Sequence, residues 1–464
     1  KWRINEELAR SSLEELNAVI TARTDALRLV MPKVPEMATK KKPAKMFKKN
    51  GDQSSAGEDW NAFLLEQNLP LDTEGPVEYV KQLKEPNPAS HPQVKDWLFK
   101  LGWEPAAFKY DKNDDGSLRL IPQVRVDGEE GKELCPSVKV LMDIEPGIKE
   151  LEGLTVAQHR AAILEGFLEN MDEEGFVQAS INGLTNTLRF KHKNVVNLPG
   201  VFKPWGSSVR GCLIARDGYE LLGSDMSSLE DLTKRHYMYE YDPEYVKEMS
   251  TPGFDPHLNL ALFAKAVTDE DISIFKEVGK KKKTQEAITH NEKGVFDFVS
   301  VLRKNFKVTN YSATYGVGAP KLSREMKVSE KEARSLLDAY WKRNWAIKSV
   351  ADACRVKRVL GQDWLFNPVS KFWYSLRAEK DRFSTLNQGT GVYCFDSWLR
   401  EIRKKRPQIT AQFHDECVLE IKEGFREEAE KLVRHALQQV NENLKLNVLL
   451  GCDVQFGKSY AEIH

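Results

Sequence analysis

The sequence lacks the features that mark secreted, membrane-bound and zinc-binding proteins. Its six cysteines are scattered without a Cys-x-x-Cys pair, so neither disulfides nor a zinc site are indicated. No apolar run approaches the length of a membrane span, and no signal peptide is visible. These absences predict a protein that does not bind a membrane and that works in the reducing cytoplasm.

An excess of charge of either sign is also missing. The 464 residues include 69 Lys and Arg against 69 Asp and Glu, which gives a formal net charge of zero. Any nucleic acid would therefore have to bind to local basic patches. A chain of this length has room for several substructures around more than one core.

The run RKNFKVTNYSATYGVG contains four notable side chains at four-residue steps, namely Arg303, Lys307, Tyr311 and Tyr315. On a helix with about 3.6 residues per turn, such steps stay on nearly one face. Two cations a turn apart repel each other unless an anion lies between them. A nucleotide meets that need, because its polyphosphate can lie between the cations while its base stacks on a ring. The alternative is a solvated basic helix face, which is common.

Two carboxylate motifs flank this helix in the sequence. LLGSDMSSLEDL contains Asp225 and Glu230, and its pattern predicts a buried strand that ends near Asp225 and is followed by a helix. ITAQFHDECVLEI contains His414, Asp415 and Glu416 between apolar residues, which predicts a tight hairpin. For either motif alone, ordinary turn chemistry explains the acidic residues.

Together the three motifs supply the parts that phosphoryl transfer from a triphosphate requires. Two carboxylates from separate strands can hold two Mg²⁺ ions close together. Positive side chains must also hold the β- and γ-phosphates while the α-phosphorus is attacked in line. Asp225 and Asp415 match the first requirement. Arg303 and Lys307 match the second.

The motif order DxSxLE, RxxxKxxxYxxxYG and HDE resembles that of family A DNA polymerases, in particular the replicative polymerases of short-tailed bacteriophages. The resemblance is strong from about Asn182 onward and weaker before it. It implies an α+β, right-hand polymerase fold with palm, fingers and thumb subdomains. It also implies template-directed DNA synthesis, in which dNTPs extend a primer 3′ end with release of pyrophosphate. The setting would be phage replication in the host cytoplasm.

The resemblance implies roles for individual residues. The metal ligands would be Asp225, the carbonyl of Met226, and Asp415, with Mg²⁺ as the ion, Mn²⁺ as a substitute, and Lys307 as a further catalytic residue. The residues implied to bind the incoming nucleotide are Glu230, His257, Arg303, Lys307 and Tyr311. The residues implied to contact DNA are Arg189, Asn194, Tyr315, Gln388 and His414. Glu416 and Arg210 are accessory candidates.

The expected organisation follows the same resemblance. Residues 1–130 would form a thumb-like region with a flexible basic insertion at about 31–86, and 131–230 the connection and first part of the palm. Residues 231–395 would form the fingers and 396–464 the second part of the palm. The insertion would recruit a processivity factor, hold duplex DNA through its lysines, or be a disordered loop. The other expected partners are primer–template DNA and dNTPs, and we expect a monomer.

A proofreading domain needs Asp-x-Glu carboxylates on a strand. The candidate match is Asp143-Ile144-Glu145, which we interpret as a coincidence because suitable acidic partners are missing downstream. The chain also begins at Lys1. We therefore expect a polymerase region without the exonuclease domain, either truncated or naturally free of it.

Two alternatives from other classes stay open. A single-subunit RNA polymerase shares the two-metal palm, but it must leave room for the 2′-hydroxyl, where Glu230 would block it. A catalytically inactive DNA-binding scaffold could keep the fold. Against the scaffold, Asp225, Asp415, Arg303 and Lys307 are all intact.

Overall fold

The computed structural model describes residues 1–127 and 132–463. Within these ranges the chain forms two compact units. The larger unit comprises residues 1–5, 170–197 and the chain from 211 onward. The smaller unit comprises residues 6–169 and 198–210. None of the helices in the described ranges is long and apolar enough to cross a bilayer.

Helices occur throughout both units. In chain order they are α1 (Glu6–Val30), α2 (Ser55–Glu66), α3 (His91–Lys100), α4 (Pro136–Lys139), α5 (Leu154–Glu169), α6 (Gly206–Gly211), α7 (Leu229–Met238), α8 (Pro243–Met249), α9 (Pro256–Phe263), α10 (Asp269–Thr284), α11 (His290–Thr314), α12 (Ala319–Met326), α13 (Glu330–Arg343), α14 (Trp345–Ala353), α15 (Arg382–Arg403) and α16 (Arg426–Leu444). Short 3-10 helices occupy Val140–Asp143, Pro146–Leu151 and Glu379–Asp381.

The strands are short and antiparallel. In chain order they are β1 (Trp2–Ile4), β2 (Val34–Lys40), β3 (Val77–Lys84), β4 (Phe108–Lys112), β5 (Leu118–Pro122), β6 (Arg125–Asp127), β7 (Lys132–Leu134), β8 (Phe176–Val177), β9 (Ser180–Leu184), β10 (Phe190–Lys193), β11 (Leu213–Ile214), β12 (Tyr219–Met226), β13 (Val356–Val359), β14 (Gln362–Phe366), β15 (Trp373–Leu376), β16 (Gln408–Phe413), β17 (Glu416–Lys422) and β18 (Cys452–Gly457). Helices and antiparallel sheets together confirm the predicted α+β class.

The segment around the expected flexible insertion has regular structure in the smaller unit. Strands β2 and β3 pair with each other, and α2 lies between them in sequence. Trp60, Phe63 and Leu64 of α2 form a small core of their own. Ser54 caps this helix by accepting a hydrogen bond from the Gly57 amide at 3.0 Å. The segment therefore contains two paired strands and a helix, while its expected flexibility stays a prediction.

The Asp143-Ile144-Glu145 motif lies outside any strand. Asp143 ends a 3-10 helix, and the Glu145 side chain accepts a hydrogen bond from the Gly147 amide at 2.9 Å. Exonuclease carboxylates would need a strand, so this local structure agrees with the interpretation of the motif as a coincidence.

A four-stranded sheet forms the base of the larger unit, with the strand order β16–β17–β12–β18. Its apolar face packs on α15 and α16, and Leu222, Trp398 and Val433 are fully buried there. The indole Nε1 of Trp398 donates a hydrogen bond to the Val433 carbonyl at 2.8 Å. This packing fixes the two helices on the sheet and leaves the strand ends free to carry polar groups.

A second core of the larger unit is mostly helical. It joins residues from α7 to α15 with residues of the three-stranded sheet β13–β14–β15. Helix α11 begins with a capping box, in which Thr289 and Glu292 exchange hydrogen bonds with each other's backbone amides. Its buried residues include Val299, Phe306 and Ala313, so one face is held by the core and the opposite face is available for function.

Candidate active site

Carboxylates from three neighbouring strands meet at one end of the four-stranded sheet. Asp225 lies next to last in β12, and the antiparallel register pairs it with Glu416 of β17 and with Asp453 of β18. Asp415 occupies the turn between β16 and β17, where its carbonyl accepts a hydrogen bond from the Met226 amide at 2.9 Å. The predicted strand end and the predicted hairpin are therefore both present.

This crowding changes the proton affinity of the carboxyl groups. Partial burial, followed by repulsion from Asp415, Glu416 and Asp453, raises the pKa of Asp225 to about 7. Burial also raises the pKa of Asp415, although the nearby Arg189 guanidinium opposes the shift. A bound cation would reduce the repulsion between the like charges at this sheet end.

The donor set fits a divalent metal ion. Asp225, Asp415 and the carbonyl of Met226 all offer hard oxygen ligands, which Mg²⁺ prefers. Within residues 1–127 and 132–463, no group of three or more His, Cys, Asp or Glu side chains is arranged so that these side chains alone could hold a metal ion. A site with two carboxylates and a backbone carbonyl leaves coordination positions for oxygens from substrate and water.

Glu416 is held by the protein itself. Its side chain is buried, and the Tyr460 hydroxyl donates a hydrogen bond to its Oε2 at 3.0 Å. This contact orients Glu416 beside Asp225 and is consistent with a supporting position.

Asp453 belongs to this group, but sequence reasoning missed it. It is paired with Asp225 in the sheet, and its Oδ2 accepts a hydrogen bond from the Ser227 hydroxyl at 3.1 Å. No motif marks it, since only the pairing of β18 with β12 brings it to the site. An acidic residue in the strand that follows a long amphipathic helix would have been the only signal.

A cavity of about 400 Å³ opens beside the carboxylates. The predicted residues that line it are Glu230, His257, Tyr311, Tyr315 and Asp415. They come from α7, α9, α11, the turn after α11, and the β16–β17 turn. The structure thus brings together residues that are up to 185 positions apart in the sequence, and the space is suitable for a small polar ligand with a flat ring.

Glu230 and Tyr315 are joined on one wall of this cavity. The Tyr315 hydroxyl donates a short hydrogen bond to Glu230, and Gln388 Nε2 donates to the same hydroxyl at 3.4 Å. Asn387 Nδ2 donates to the Glu230 carbonyl at 2.9 Å. Burial and the Glu230 carboxylate raise the pKa of Tyr315 to about 12, so this hydroxyl keeps its proton.

The α11 face carries the predicted cations in the predicted order. Arg303 Nε donates to Asp255 Oδ2 at 2.6 Å, while the Lys307 side chain one turn later is exposed. Asp255 is also the N-cap of α9, where it accepts hydrogen bonds from the His257 amide at 2.9 Å and the Leu258 amide at 3.1 Å. One carboxylate therefore fixes both the start of α9 and the direction of the Arg303 guanidinium.

His257 is buried close to these cations. Its Nδ1 lies 3.1 Å from Asn310 Nδ2, and its ring centre lies 5.9 Å from that of Tyr311. Burial is the main cause that lowers its pKa to about 4, and Arg303 and Lys307 add to the shift while Asp255 opposes it. The ring is therefore neutral at pH 7.

A second, smaller cavity adjoins the same residues. Arg189, Gln388 and His414 line it together with Glu230 and Asp415. The predicted DNA-contacting side chains of three separate segments thus meet beside the carboxylates. His414 adopts a left-handed backbone with φ of 56°, which turns the hairpin so tightly that Asp415 projects from its end.

Two predicted residues are not brought into this group. Asn194 follows β10, and its Nδ2 donates to the Gln178 carbonyl at 3.4 Å. Arg210 belongs to the smaller unit, where its Nε donates to the Pro199 carbonyl at 2.7 Å. The structure does bring in His192, whose ring lies 5.2 Å from Phe413 and 5.4 Å from His414 between ring centres. The alternation of side chains along β10 was its only sequence signal.

The fold resembles that of a solved polymerase structure. The POL domain of Pol1 from M. smegmatis, in complex with DNA primer-template and dNTP, matches with a TM-score of 0.65 and 18% sequence identity. The match covers 100% of this chain and 68% of that chain. The chain therefore has the right-hand polymerase fold that its motifs predicted.

Sequence comparison identifies the family. The model of DNA polymerase family A matches residues 139–462, which is well over half of the chain. The chain belongs to DNA polymerase family A.

The relatives are bacterial enzymes. The thermostable DNA polymerase I of Thermus filiformis is 24% identical over 292 residues, covering 60% of this chain and 31% of the relative. The DNA polymerase I of Mycobacterium bovis is 24% identical over 317 residues, covering 64% of this chain and 31% of the relative. The chain thus spans about a third of the length of these relatives, and the finer likeness to phage polymerases stays a prediction.

The environment of His257 predicts an unusual titration. Because burial and neighbouring cations disfavour the imidazolium, we expect His257 to stay neutral at pH 7 and to protonate only near pH 4. Histidine-selective NMR between pH 8 and pH 4 would measure this, with His257→Gln used to assign the signal. A midpoint near the ordinary value of 6.5 would contradict the described packing.

Proposed function

We propose that this chain is a DNA-directed DNA polymerase that adds dNTPs to the 3′ end of a primer. The observation that carries the proposal is the convergence of Asp225 and Asp415 beside the cavity that Glu230, Tyr311 and Tyr315 line. Membership of DNA polymerase family A supports the same reaction. So does the fold neighbour, which is a complex with a DNA primer-template and a dNTP.

Family A DNA polymerases generally use divalent metal ions, and Mg²⁺ is the ion we propose here, with Mn²⁺ as a substitute. Asp225, Asp415 and the carbonyl of Met226 would hold two such ions. When bound, these ions would stabilise negative charge on the attacking and leaving oxygens. Glu416 and Asp453 flank Asp225 and would keep the surrounding field negative.

The fingers helix would handle the triphosphate. Lys307 is exposed on the functional face of α11 and can reach an anion without first breaking an ion pair. Arg303 must share its guanidinium between Asp255 and the phosphates, so nucleotide binding would compete with the contact at 2.6 Å. Neutral His257 would act as a hydrogen-bond donor and Tyr311 as a stacking surface. The exposed ring of Tyr311 favours that role.

The Glu230 side chain supports a deoxyribonucleotide substrate over the RNA polymerase alternative. It lies in the cavity wall and is fixed there by Tyr315. A fixed carboxylate under the sugar would leave no room for a 2′-hydroxyl. Gln388 and His414 would then contact the minor-groove side of the new base pair, where acceptors are common to all correct pairs, and Arg189 would contact the template strand.

The subdomain assignment is part of the proposal. The four-stranded sheet would belong to the palm, residues 231–395 would form the fingers, and the smaller unit would form the thumb together with the connecting segment. The expected boundary between residues 395 and 396 falls inside α15, so this helix would serve both palm and fingers. A cytoplasmic monomer, a phage replicative role and a processivity factor at the 31–86 segment belong to the same proposal, and they rest on the sequence resemblance.

Primer extension tests the reaction directly. With a DNA primer–template and Mg²⁺, we expect extension with dNTPs and none with rNTPs. Asp415→Asn should lower the rate by at least roughly a hundredfold, because charge at the reacting phosphate would lose its stabilisation. Binding of primer–template to this variant, measured by fluorescence anisotropy, should change little.

Asp338→Asn, which alters an exposed aspartate of α13, is the matched control. Extension with rNTPs would favour an RNA polymerase. Tight DNA binding without any extension would favour an inactive scaffold.

Sugar selection provides an independent prediction. Glu230→Ala should raise the incorporation of ribonucleotides relative to deoxyribonucleotides on the order of tenfold to a hundredfold, because the variant opens space beside the sugar. Single-nucleotide incorporation with dATP and ATP would measure the ratio. Glu427→Ala, at an exposed position of α16, is the control. An unchanged ratio would remove Glu230 from this role.

A further inference from the structure

The sheet β13–β14–β15 has one face that the active site does not use. Side chains alternate across a strand, so its residues divide into two sets. Leu365, Tyr374 and Leu376 are buried on the face that packs into the helical core. The opposite face carries the side chains of Arg355, Lys357, Trp364, Phe366 and Trp373. We name these five residues the cation–aromatic face.

The members of this face are in contact with each other. The Arg355 guanidinium carbon lies 5.5 Å from the Phe366 ring centre and 5.3 Å from that of Trp373. Lys357 Nζ lies 4.0 Å above the Trp373 ring. Both cations are exposed, and the rings are partly exposed. Cations and flat rings at these distances form a layer on which further planar groups can stack.

The charge on this surface is mainly positive. Asp363, the one carboxylate within these three strands, points to the other face, where its Oδ1 lies 3.9 Å from Arg358 Nε. Glu240 lines a cavity of about 220 Å³ beside Arg355 and Phe366, so it borders the layer at one end. A single cation–ring pair could serve only to stabilise the sheet. Two exposed cations over neighbouring rings are also suited to binding a polyanion with planar bases, such as a nucleic acid strand.

The sheet that carries this face lies close to the candidate active site within the larger unit, and the residue that borders the site, Tyr374, belongs to the opposite face. Asn186 Nδ2, in the turn that precedes Arg189, donates to the Ser375 carbonyl of β15 at 3.3 Å. Tyr374 of the same strand lines a cavity of about 260 Å³ together with Arg189 and His414. The sheet is therefore attached to the segment that carries the predicted template contacts.

Exposed cations also connect the sheet with the end of the fingers helix. Arg377 and Lys380 follow β15, and both are exposed. The Lys380 side chain packs against Gly316, so that a Cβ at position 316 would lie 3.6 Å from it. Gly316 directly follows Tyr315. Arg377 and Lys380, which alternate with Glu379 and Asp381, thus link β15 in sequence to the residues that pack beside Tyr315.

We propose that the cation–aromatic face binds the unpaired template strand before it enters the active site. This inference rests on the proposed polymerase function. Bases would stack on Trp364, Trp373 and the Arg355 plane, while Lys357 and Arg377 would neutralise phosphates. Stacking and phosphate contacts do not depend on base identity, so the binding would be independent of sequence, as copying of any template requires.

Overhang length provides the test. Fluorescence anisotropy would compare a primer–template with a one-nucleotide template overhang and one with about ten nucleotides. We expect the wild type to bind the longer overhang at least about fivefold more tightly, given the usual contribution of base stacking. Two variants should lose this gain in affinity for the longer overhang. One is the double variant Arg355→Gln/Lys357→Gln, and the other is Trp373→Leu. Their affinity for the short overhang and their extension rate on it should stay unchanged.

The salt dependence gives a second readout. For the long overhang, the slope of log affinity against log salt should fall by about 0.7 for each cation removed. Arg358→Gln, on the opposite face of the same strand, is the matched control and should keep the gain. The proposal would be overturned if both variants still bound the longer overhang more tightly than the short one, or if the wild type showed no such preference. Absence of primer extension on either template would instead contradict the polymerase function, and the binding comparison would still decide the role of this face.

Discussion

Repulsion between carboxylates at one sheet end is the constraint on which the rest of this structure depends. The strand register places Asp225 between Glu416 and Asp453, and the tight turn adds Asp415. Burial and, after it, repulsion from these carboxylates raise the pKa of Asp225 to about 7, so the folded state holds this group at a cost in free energy. Burial of apolar side chains behind the sheet, including Leu222 and Trp398, has to offset this cost. A bound divalent cation would reduce the repulsion among these carboxylates.

A second arrangement on which the site depends is the anchoring of helix α11. Asp255 caps α9 and binds Arg303, so the helix that carries His257 and the helix that carries Lys307 are tied by one carboxylate. A triphosphate would be a competing partner for Arg303. Under the proposed function, the cavity would therefore be shaped before a nucleotide binds, and Arg303 would be able to change partners on binding.

Local patterns were enough to predict the elements that carry the motifs. The four-residue spacing from Arg303 to Tyr315 predicted α11, and the apolar runs around Asp415 predicted the β16–β17 hairpin. In each case hydrophobic periodicity and nearby packing act in the same direction, so the sequence signal is strong.

Long-range pairing was beyond the sequence. Asp453 and His192 reach the site only through the pairing of β18 with β12 and the packing of β10 beside the hairpin. The regular structure of residues 34–84 was not predicted, because the few residues that form its core, Trp60 and two neighbours, lie within a lysine-rich stretch. The cation–aromatic face likewise requires three strands to pair before Arg355 can meet Trp373.

The most direct test of the central claim is a crystal structure with Mn²⁺, primer–template DNA and an incoming nucleotide, in which anomalous scattering locates the metal. The account predicts anomalous peaks within coordination distance of both Asp225 and Asp415, with the Met226 carbonyl as a further ligand. Peaks bound elsewhere, or none between these two carboxylates, would contradict it.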